Sequence, residues 1–359
     1  MQQTLSLRAL NRATLARQML LERANTDAVT ALERLGGLQA QEPKPPFLAL
    51  WTRLDGFDRA RLHEPLHDGR IVRATAMRAT LHLLSARDYA AVRTALQPVM
   101  SAAMVAVRGR DQGLDIDKLL PVATDLIRTR PRTFGELRSR LVEAFPGVNE
   151  RALGYAVRMH LPLAMVPTGD RWSFPSDARF ALADEPRAGA DPQALVRMHL
   201  GAFGPATATD IQTWSGLKGI AQVLKQMGGE LVTLQHGRRT LFDLPGAPRP
   251  DEDVPAPVRL LPEFDSLLLA HKDRSRVVAD EHRKSLTTKN LRIKATFLID
   301  GFVAGTWTVA RKPGTATLTL APFAKLPRAA AGELEHEAEA LLRFAEPDAN
   351  EHRVELSAA

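Results

Sequence analysis

Two segments of the chain repeat one order of predicted elements: two helices, then two short strands around a tight turn. In the first segment these are a helix from Thr133, a helix from about Asn149 to His160, and extended runs Leu163–Pro167 and Arg171–Phe174. In the second they are a helix capped by Thr209 or Asp210, a helix over Leu217–Met227, and strands Leu231–Leu234 and Thr240–Leu244. Two helices joined by a short turn and followed by a β-hairpin form the winged-helix arrangement. The repeat therefore predicts an α+β fold of small tandem units.

The N-terminal region follows the same order more loosely. Helical spacing is present in Leu7–Arg23, Thr26–Leu35 and Phe47–Leu54, and Arg70–Leu84 alternates as a hairpin would. Gly36 and Gly37 end the second of these helices. We therefore predict a further winged-helix unit here, which gives three tandem units.

A proline-rich stretch, Pro245–Pro262, separates these units from a region of different character. Short β-like runs follow, with Asp300-Gly301 as a hairpin turn, and they predict a small barrel or a compact antiparallel sheet. An acidic helix, Gly332–Phe344, comes after them. The predicted domains are winged-helix units at 1–112, 113–190 and 191–246, a linker at 247–258, and a β-barrel-like domain with the acidic helix at 259–359.

Charge is unevenly distributed along the 359 residues. Residues 331–359 carry eight acidic side chains against two arginines, whereas the formal net charge of the chain is +7. Residues 1–330 therefore carry +13. A basic body of this size favours a polyanionic partner, unless the excess only reflects an arginine-rich composition.

The chain contains no cysteine, which excludes disulfides, cysteine-ligated zinc and iron–sulfur clusters. No stretch approaches about 20 apolar residues, so we expect a cytoplasmic protein, associated with the nucleoid when it acts, and no membrane segment. The sequence also lacks a glycine-rich phosphate loop, a deaminase-type zinc motif and a helix with paired metal-binding histidines. We therefore predict neither a metal nor a cofactor.

The stretch GGLQAQEPKPP holds two glutamines, Gln39 and Gln41, between a helix end and a proline cluster. Because a residue before proline is driven out of the α region, Glu42 favours an extended segment. Residues two apart on an extended segment project to the same side, so both amides would face one spot. An amide has no useful pKa and is no general base, but it can hold a water or another polar group. The alternative is a solvated loop.

Thr80 and His82 end an extended run and share one face of it. A histidine titrates near neutral pH, so His82 is a candidate for hydrogen bonding or proton transfer. The alternative is a structural histidine beneath the N-terminal unit.

Lysines and arginines are concentrated in two places. Arginines surround the predicted hairpin at 70–84, and residues 271–294 carry eight Lys or Arg interleaved with hydroxyl and amide side chains. Such mixtures suit contacts to phosphate oxygens, although a solvated protein face would look the same. The candidate DNA-contacting residues are Lys44, Arg73, Arg78, Lys272, Arg274, Arg276, Lys284 and Lys289.

Five segments in order carry a resemblance to a known family: LGGLQAQEPKPPFLALWTRL, MRATLHLLSARDY, GAFGPATATDIQTWSGL, LLPEFDSLLLAHKDRSRV and LIDGFVAGTW. The chain resembles the winged-helix DNA glycosylases of the AlkZ type over roughly residues 5–325. The resemblance implies a C-shaped molecule of three winged-helix units and a C-terminal β-barrel. Members of this family remove bulky or cationic N7-alkylguanine bases from DNA, and some unhook interstrand crosslinks.

The family's catalytic Gln-x-Gln motif falls on Gln39 and Gln41, and its pocket residues on Thr80 and His82. The resemblance thus implies a monofunctional glycosylase, acting as a monomer on double-stranded DNA with N7-alkylpurine or crosslink lesions. General repair and self-resistance to one genotoxin both stay open. A non-catalytic winged-helix DNA-binding protein, such as a transcriptional regulator, is the alternative function.

Overall fold

The computed structural model describes residues 3–184, 189–288 and 292–357. Its helices are α1 Leu7–Arg17, α2 Ala28–Leu35, α3 Lys44–Arg53, α4 Ala60–His67, α5 Ala86–Val92, α6 Gln97–Ala103, α7 Ile116–Thr129, α8 Phe134–Ala144, α9 Glu150–His160, α10 Pro192–Phe203, α11 Ala208–Ser215, α12 Ile220–Met227 and α13 Arg328–Ala345. Its strands are β1 Leu38–Gln39, β2 Ile71–Thr75, β3 Leu81–Ser85, β4 Leu163–Met165, β5 Phe180–Leu182, β6 Val232–His236, β7 Arg239–Asp243, β8 Arg259–Leu261, β9 Thr296–Ile299, β10 Phe302–Lys312, β11 Thr315–Pro322 and β12 Glu351–Leu356. The chain is thus a mixed α+β protein.

Side chains cap α8 and α11, each of which is the first helix of a predicted helix-turn-helix. Before α8, Thr133 Oγ1 accepts from the Glu136 amide at 3.1 Å, and Glu136 accepts from the Thr133 amide at 2.9 Å. Before α11, Thr207 and Asp210 make the same reciprocal pair. The helix start at Thr133 is therefore confirmed. The cap predicted at Thr209 or Asp210 is wrong, because Asp210 is the inner member of the box and Thr207 is the cap.

One five-stranded sheet, in the order β1-β3-β2-β4-β5, joins the first two predicted units. The hairpin predicted within Arg70–Leu84 is confirmed as β2 and β3. Strand β2 also pairs antiparallel with β4, so that Arg73 lies opposite Met165. The predicted boundary at 112/113 therefore separates two segments that share a sheet.

The partner predicted for β4 is wrong. Strand β4 pairs with β5 rather than with the run Arg171–Phe174. That run instead forms a turn, closed by a 2.7 Å hydrogen bond from the Thr168 amide to the Ser173 oxygen. Trp172 packs edge-on against Phe47 of α3, with ring centroids 5.2 Å apart. The aromatic residues of this run thus pack in or against a core, and a turn places them there.

The third unit has the predicted hairpin. Strand β6 pairs antiparallel with β7, and Leu234 lies opposite Leu241. Helices α10, α11 and α12 precede the hairpin and share one buried cluster, which includes Leu200, Ile211 and Leu224. The helix predicted from Leu217 begins later, at Ile220, after a left-handed Gly219.

The C-terminal sheet has the order β12-β11-β10-β9-β8 and is open at β12 and β8 among the described residues. The predicted barrel is therefore not found. Strand β12 runs parallel to β11, which requires a crossover, and α13 supplies it. The acidic helix predicted at Gly332–Phe344 lies within α13, and its Leu334, Leu341 and Leu342 are buried in the cluster that includes Trp307.

Buried ion pairs connect the N-terminal helices to the later parts of the chain. Arg17 of α1 contacts Asp243 of β7 at 2.7 Å, and Arg53 of α3 contacts Asp265 at 2.8 Å. The four side chains are at most 1% exposed. Because breaking a buried pair leaves an uncompensated charge, these contacts oppose separation of the parts that they join.

Within the described ranges, no single helix is long and apolar enough to cross a membrane. One pair, Ala86–Val92 with Gln97–Val107, meets that criterion only jointly and with a 76° bend between its members.

Candidate active site

Two glycines place the segment that carries the glutamine pair against β3. Gly36 ends α2 in the left-handed conformation, with φ of 66°, as the sequence predicts. Gly37 has φ of 80°, and a Cβ there would lie 2.5 Å from Leu84 Cδ2 and 3.0 Å from the Leu83 oxygen. Only glycine permits both this conformation and this close approach.

The glutamine segment is held by β3 on one side and by α3 on the other. Gln39 lies opposite His82 in the β1–β3 ladder, and the Ala40 amide donates to the Leu81 oxygen at 2.7 Å. Helix α3 begins at Lys44, directly after Pro43, with prolines in its first turn. Proline is well suited to that position because its φ is already helical and its missing amide proton is not needed there.

Both glutamine side chains have a fixed orientation. Gln39 Oε1 accepts from Arg78 Nη2 at 2.9 Å, and Gln41 Oε1 accepts from the Leu81 amide at 3.0 Å. A guanidinium and a backbone amide can only donate, so each contact identifies the carbonyl oxygen of the side-chain amide. Among the described residues, neither glutamine NH₂ group has an acceptor within hydrogen-bond distance.

His82 is 2% exposed, and its Nδ1 lies 3.0 Å from the Thr80 oxygen. Burial, followed by the charge of Arg78, lowers the His82 pKa to about 3. The ring is therefore neutral near pH 7 and carries its proton on Nδ1, since a carbonyl can only accept. This environment disfavours the proton-transfer role considered for His82. Thr80 is half-buried and donates through Oγ1 to the Met77 oxygen at 3.0 Å.

Two arginines predicted to contact phosphate are interior residues. Arg73 is 3% exposed and donates to the main-chain oxygens of Ala40 at 2.9 Å and Gln41 at 3.1 Å. Arg276 is 5% exposed and donates to the Pro205 oxygen at 2.9 Å. The structure thus corrects their assignment, because both guanidinium groups are used to hold main-chain carbonyls.

The remaining predicted cations have varied surroundings. Lys44 pairs with Glu346 at 2.6 Å. Lys272 and Lys284 are exposed, Arg274 is half-buried, and Lys289 lies outside the described residues. Burial, together with the charge of Arg274, lowers the Arg78 pKa to about 10, so these two cations lie near one another.

A cleft of about 520 Å³ lies beside Gln41, between the first two units. Its lining includes Gln41, Leu81, Phe134, Arg138, Arg158 and Met165. Arg158, on α9, was missed by the sequence reasoning. Burial lowers its pKa, and its Nε lies 3.4 Å from Thr75 Oγ1. Its position on the second helix of a predicted helix-turn-helix unit was the available signal.

Among the described residues, no group of three or more His, Asp or Glu side chains is arranged to hold a metal ion.

Comparisons with known proteins agree with this architecture. A family model described as "AlkZ-like: DNA glycosylase AlkZ-like" matches residues 32–344. A curated protein of Streptomyces sahachiroi, an "Interstrand DNA cross-link repair glycosylase", is 26% identical over 345 residues, which cover 90% of this chain and 92% of that protein. The solved structure of the S. sahachiroi DNA glycosylase AlkZ superposes with a TM-score of 0.77 at 24% identity and covers 99% of this chain and 100% of that one. The chain therefore belongs to the AlkZ-like family of DNA glycosylases.

Proposed function

We propose that the protein is a monofunctional DNA glycosylase that hydrolyses the N-glycosidic bond of N7-alkylated purines, with Gln39 and Gln41 as its catalytic residues. Its substrates include bulky adducts and interstrand crosslinks, by analogy with the crosslink repair activity for which the S. sahachiroi relative is named. Double-stranded DNA is the partner, and the protein acts on it as a monomer.

The chemistry of the lesion explains why amides suffice. Alkylation at N7 gives the purine a positive charge, so the base leaves without strong acid catalysis. The site must then place a water near C1′ and stabilise an oxocarbenium-like sugar. A neutral, buried His82 beside the glutamines fits this requirement because it adds neither a proton donor nor a positive charge.

One observation carries the proposal: a donor fixes each of the two glutamine carbonyls, and Gln41 lines an open cleft. A carbonyl oxygen has two lone pairs, so Gln41 Oε1 keeps one for a water after accepting from the Leu81 amide. The volume of about 520 Å³ is large for one water and suits a bulky adduct or a base that is only partly displaced from the helix.

Phosphate contacts are proposed for the cations that are not used internally. Lys272, Arg274 and Lys284 form this set, and Lys44 joins it at the start of α3, where Glu346 is its partner in the free protein. Lys289 is retained from the sequence prediction. Such contacts position the DNA without reading its sequence.

Release of 7-methylguanine tests this function. Duplexes carrying 7-methylguanine or a defined crosslink are incubated with excess protein, and abasic sites are then cleaved with alkali. We expect base release by the wild type and a loss of about 10²-fold or more in Gln39→Ala and Gln41→Ala. Gln226→Ala, at an exposed glutamine of α12, is the matched control.

The result also separates this function from its alternative. Tight binding of undamaged DNA at one sequence without base release would identify a regulator. Full activity in both site variants would show that the catalytic residues lie elsewhere.

A further inference from the structure

The connection between β2 and β3 has an unusual backbone. Arg78 and Ala79 both adopt positive φ, 55° and 58°, although neither is glycine. Residues with side chains rarely adopt this conformation, and such outliers persist only where the surrounding structure holds them. Gly216, which ends α11, supplies part of that support: a Cβ there would lie 3.2 Å from Arg78 Cα.

The Arg78 side chain lies between two parts of the molecule. Its Nη2 donates to Gln39 Oε1 at 2.9 Å, and its Nη1 donates to the Trp214 oxygen of α11. No carboxylate forms an ion pair with it among the described residues. The guanidinium is thus anchored to the third unit at one end and to the glutamine of the first unit at the other.

We propose that Arg78 is a positioning residue that makes Gln39 a hydrogen-bond donor toward the departing purine. This inference rests on the proposed glycosylase function. Because Arg78 binds the Gln39 carbonyl oxygen, the Gln39 NH₂ group is the part of the amide left without a partner among the described residues. The two glutamines therefore have different tasks: Gln41 accepts from the water, and Gln39 donates to the base.

The electron balance of the reaction favours a donor at this position. As the C1′–N9 bond breaks, its electron pair moves onto the purine, whose charge falls from +1 to zero. The oxygen and nitrogen acceptors of the purine become more negative, so a donor stabilises the transition state more than the bound substrate. Water then forms the new C1′–O bond and releases a proton to solvent.

The competing role for Arg78 is a phosphate contact. A phosphate contact supports DNA affinity and salt dependence, whereas a positioning residue supports the rate on bound DNA. Single-turnover base release at saturating protein and Kd for a duplex with a stable abasic analogue measure the two separately.

The test uses Gln39→Glu, Arg78→Met and Arg78→Lys on 7-methylguanine DNA. Gln39→Glu keeps an acceptor for Arg78 but removes the NH₂ donor, so the single-turnover rate should fall about 10²-fold while Kd changes less than about threefold. Arg78→Met should lower the same rate at least about tenfold with similar Kd, and Arg78→Lys should restore part of it because lysine still donates.

Other outcomes overturn the proposal. A Gln39→Glu protein as fast as wild type would show that Gln39 acts as an acceptor. An Arg78→Met protein with an unchanged saturating rate, a raised Kd and a weaker salt dependence would assign Arg78 to phosphate. If the wild-type protein releases no base, the proposed glycosylase function itself is wrong. The wild type alone shows this, so that failure is distinguishable from a failure of the role proposed for Arg78.

Discussion

Arg73 Nη2 donates a 3.1 Å hydrogen bond to the main-chain oxygen of Gln41, from a guanidinium that also lies 4.9 Å from the centre of the Phe174 ring. A side chain that looked like a phosphate contact in the sequence thus holds the segment that carries the candidate catalytic glutamines. Because Arg73 belongs to β2, the contact ties the backbone of Gln41, a candidate catalytic residue, to that strand.

Replacing Arg73 with Met should damage both stability and catalysis. The change leaves the oxygens of Ala40 and Gln41 without their donor, so we expect a loss of about 2–5 kcal/mol in the free energy of unfolding. Base release should also fall, because the Gln41 backbone is no longer fixed. Urea unfolding and single-turnover assays measure the two effects. Arg70→Met, at an exposed arginine before β2, should change neither, and equal losses in both variants would contradict the assigned role.

Gly37→Ala should destabilise the protein more than Gly69→Ala, although the two glycines have the same φ. Both Gly37 and Gly69 have φ of 80°, but a Cβ on Gly69 meets open space, whereas one on Gly37 would meet Leu84 at 2.5 Å. We expect about 1 kcal/mol of destabilisation at Gly69 and about 2–4 kcal/mol at Gly37. Thermal and urea unfolding of the two proteins provide the comparison. Equal destabilisation of the two proteins would show that glycine is required at position 37 only for its positive φ and not for the close contact with Leu84.

Glu42→Gln tests whether a carboxylate, rather than the amides, activates the water. Glu42 follows the motif and pairs with Arg292 at 3.3 Å at a half-exposed position. If the amides carry the reaction, the single-turnover rate of Glu42→Gln at neutral pH should stay within about threefold of wild type. A loss of about 10²-fold or more, the range of general base catalysis, would transfer the role to Glu42.

The buried histidines should make the protein acid-sensitive. Burial lowers the pKa of His82 to about 3 and that of His199 to about 4, whereas both titrate near 6.5 in the unfolded chain. The unfolded state therefore binds more protons between these values. Stability is full above about pH 6.5 and is lost as the pH falls, by up to about 1.4 kcal/mol per pH unit for each histidine. Urea unfolding at pH 7.5, 6 and 5 measures the slope.

His199→Gln should reduce that slope, since glutamine does not titrate. A slope that is the same in His199→Gln and wild type would show that His199 does not contribute to it.

Neutralising Lys272 or Lys284 should weaken DNA binding with little dependence on sequence. Removing one phosphate contact should make the slope of log K against log salt shallower by about 1. Fluorescence anisotropy measures the affinity for damaged and undamaged duplexes between 50 and 200 mM salt. Over this range, the affinity of a protein that contacts several phosphates falls steeply with salt. Lys118→Gln, at an exposed lysine of α7, serves as the control. An unchanged salt slope in both site variants would place the DNA on another surface.

The sequence predicted much of the secondary structure because local chemistry specifies it. The capping box at Thr133, the left-handed Gly36 that ends α2, and the β6–β7 hairpin all depend on residues near one another in the chain. The family, too, could be recognised from short segments. Where local chemistry was ambiguous the prediction failed: Arg171–Phe174 resembles a strand, yet Trp172 packs on Phe47 and the backbone turns.

The sequence alone determined that Gln39 and Gln41 are the candidate catalytic pair, since the motif and its glycine and proline flanks are contiguous. Only the tertiary structure shows which donor binds each amide. Arg78 binds Gln39 from 39 residues away, and the Leu81 amide binds Gln41 from 40 residues away. The same packing turned Arg73 and Arg276 inward, because buried carbonyls need donors and no sequence pattern shows which arginines will supply them.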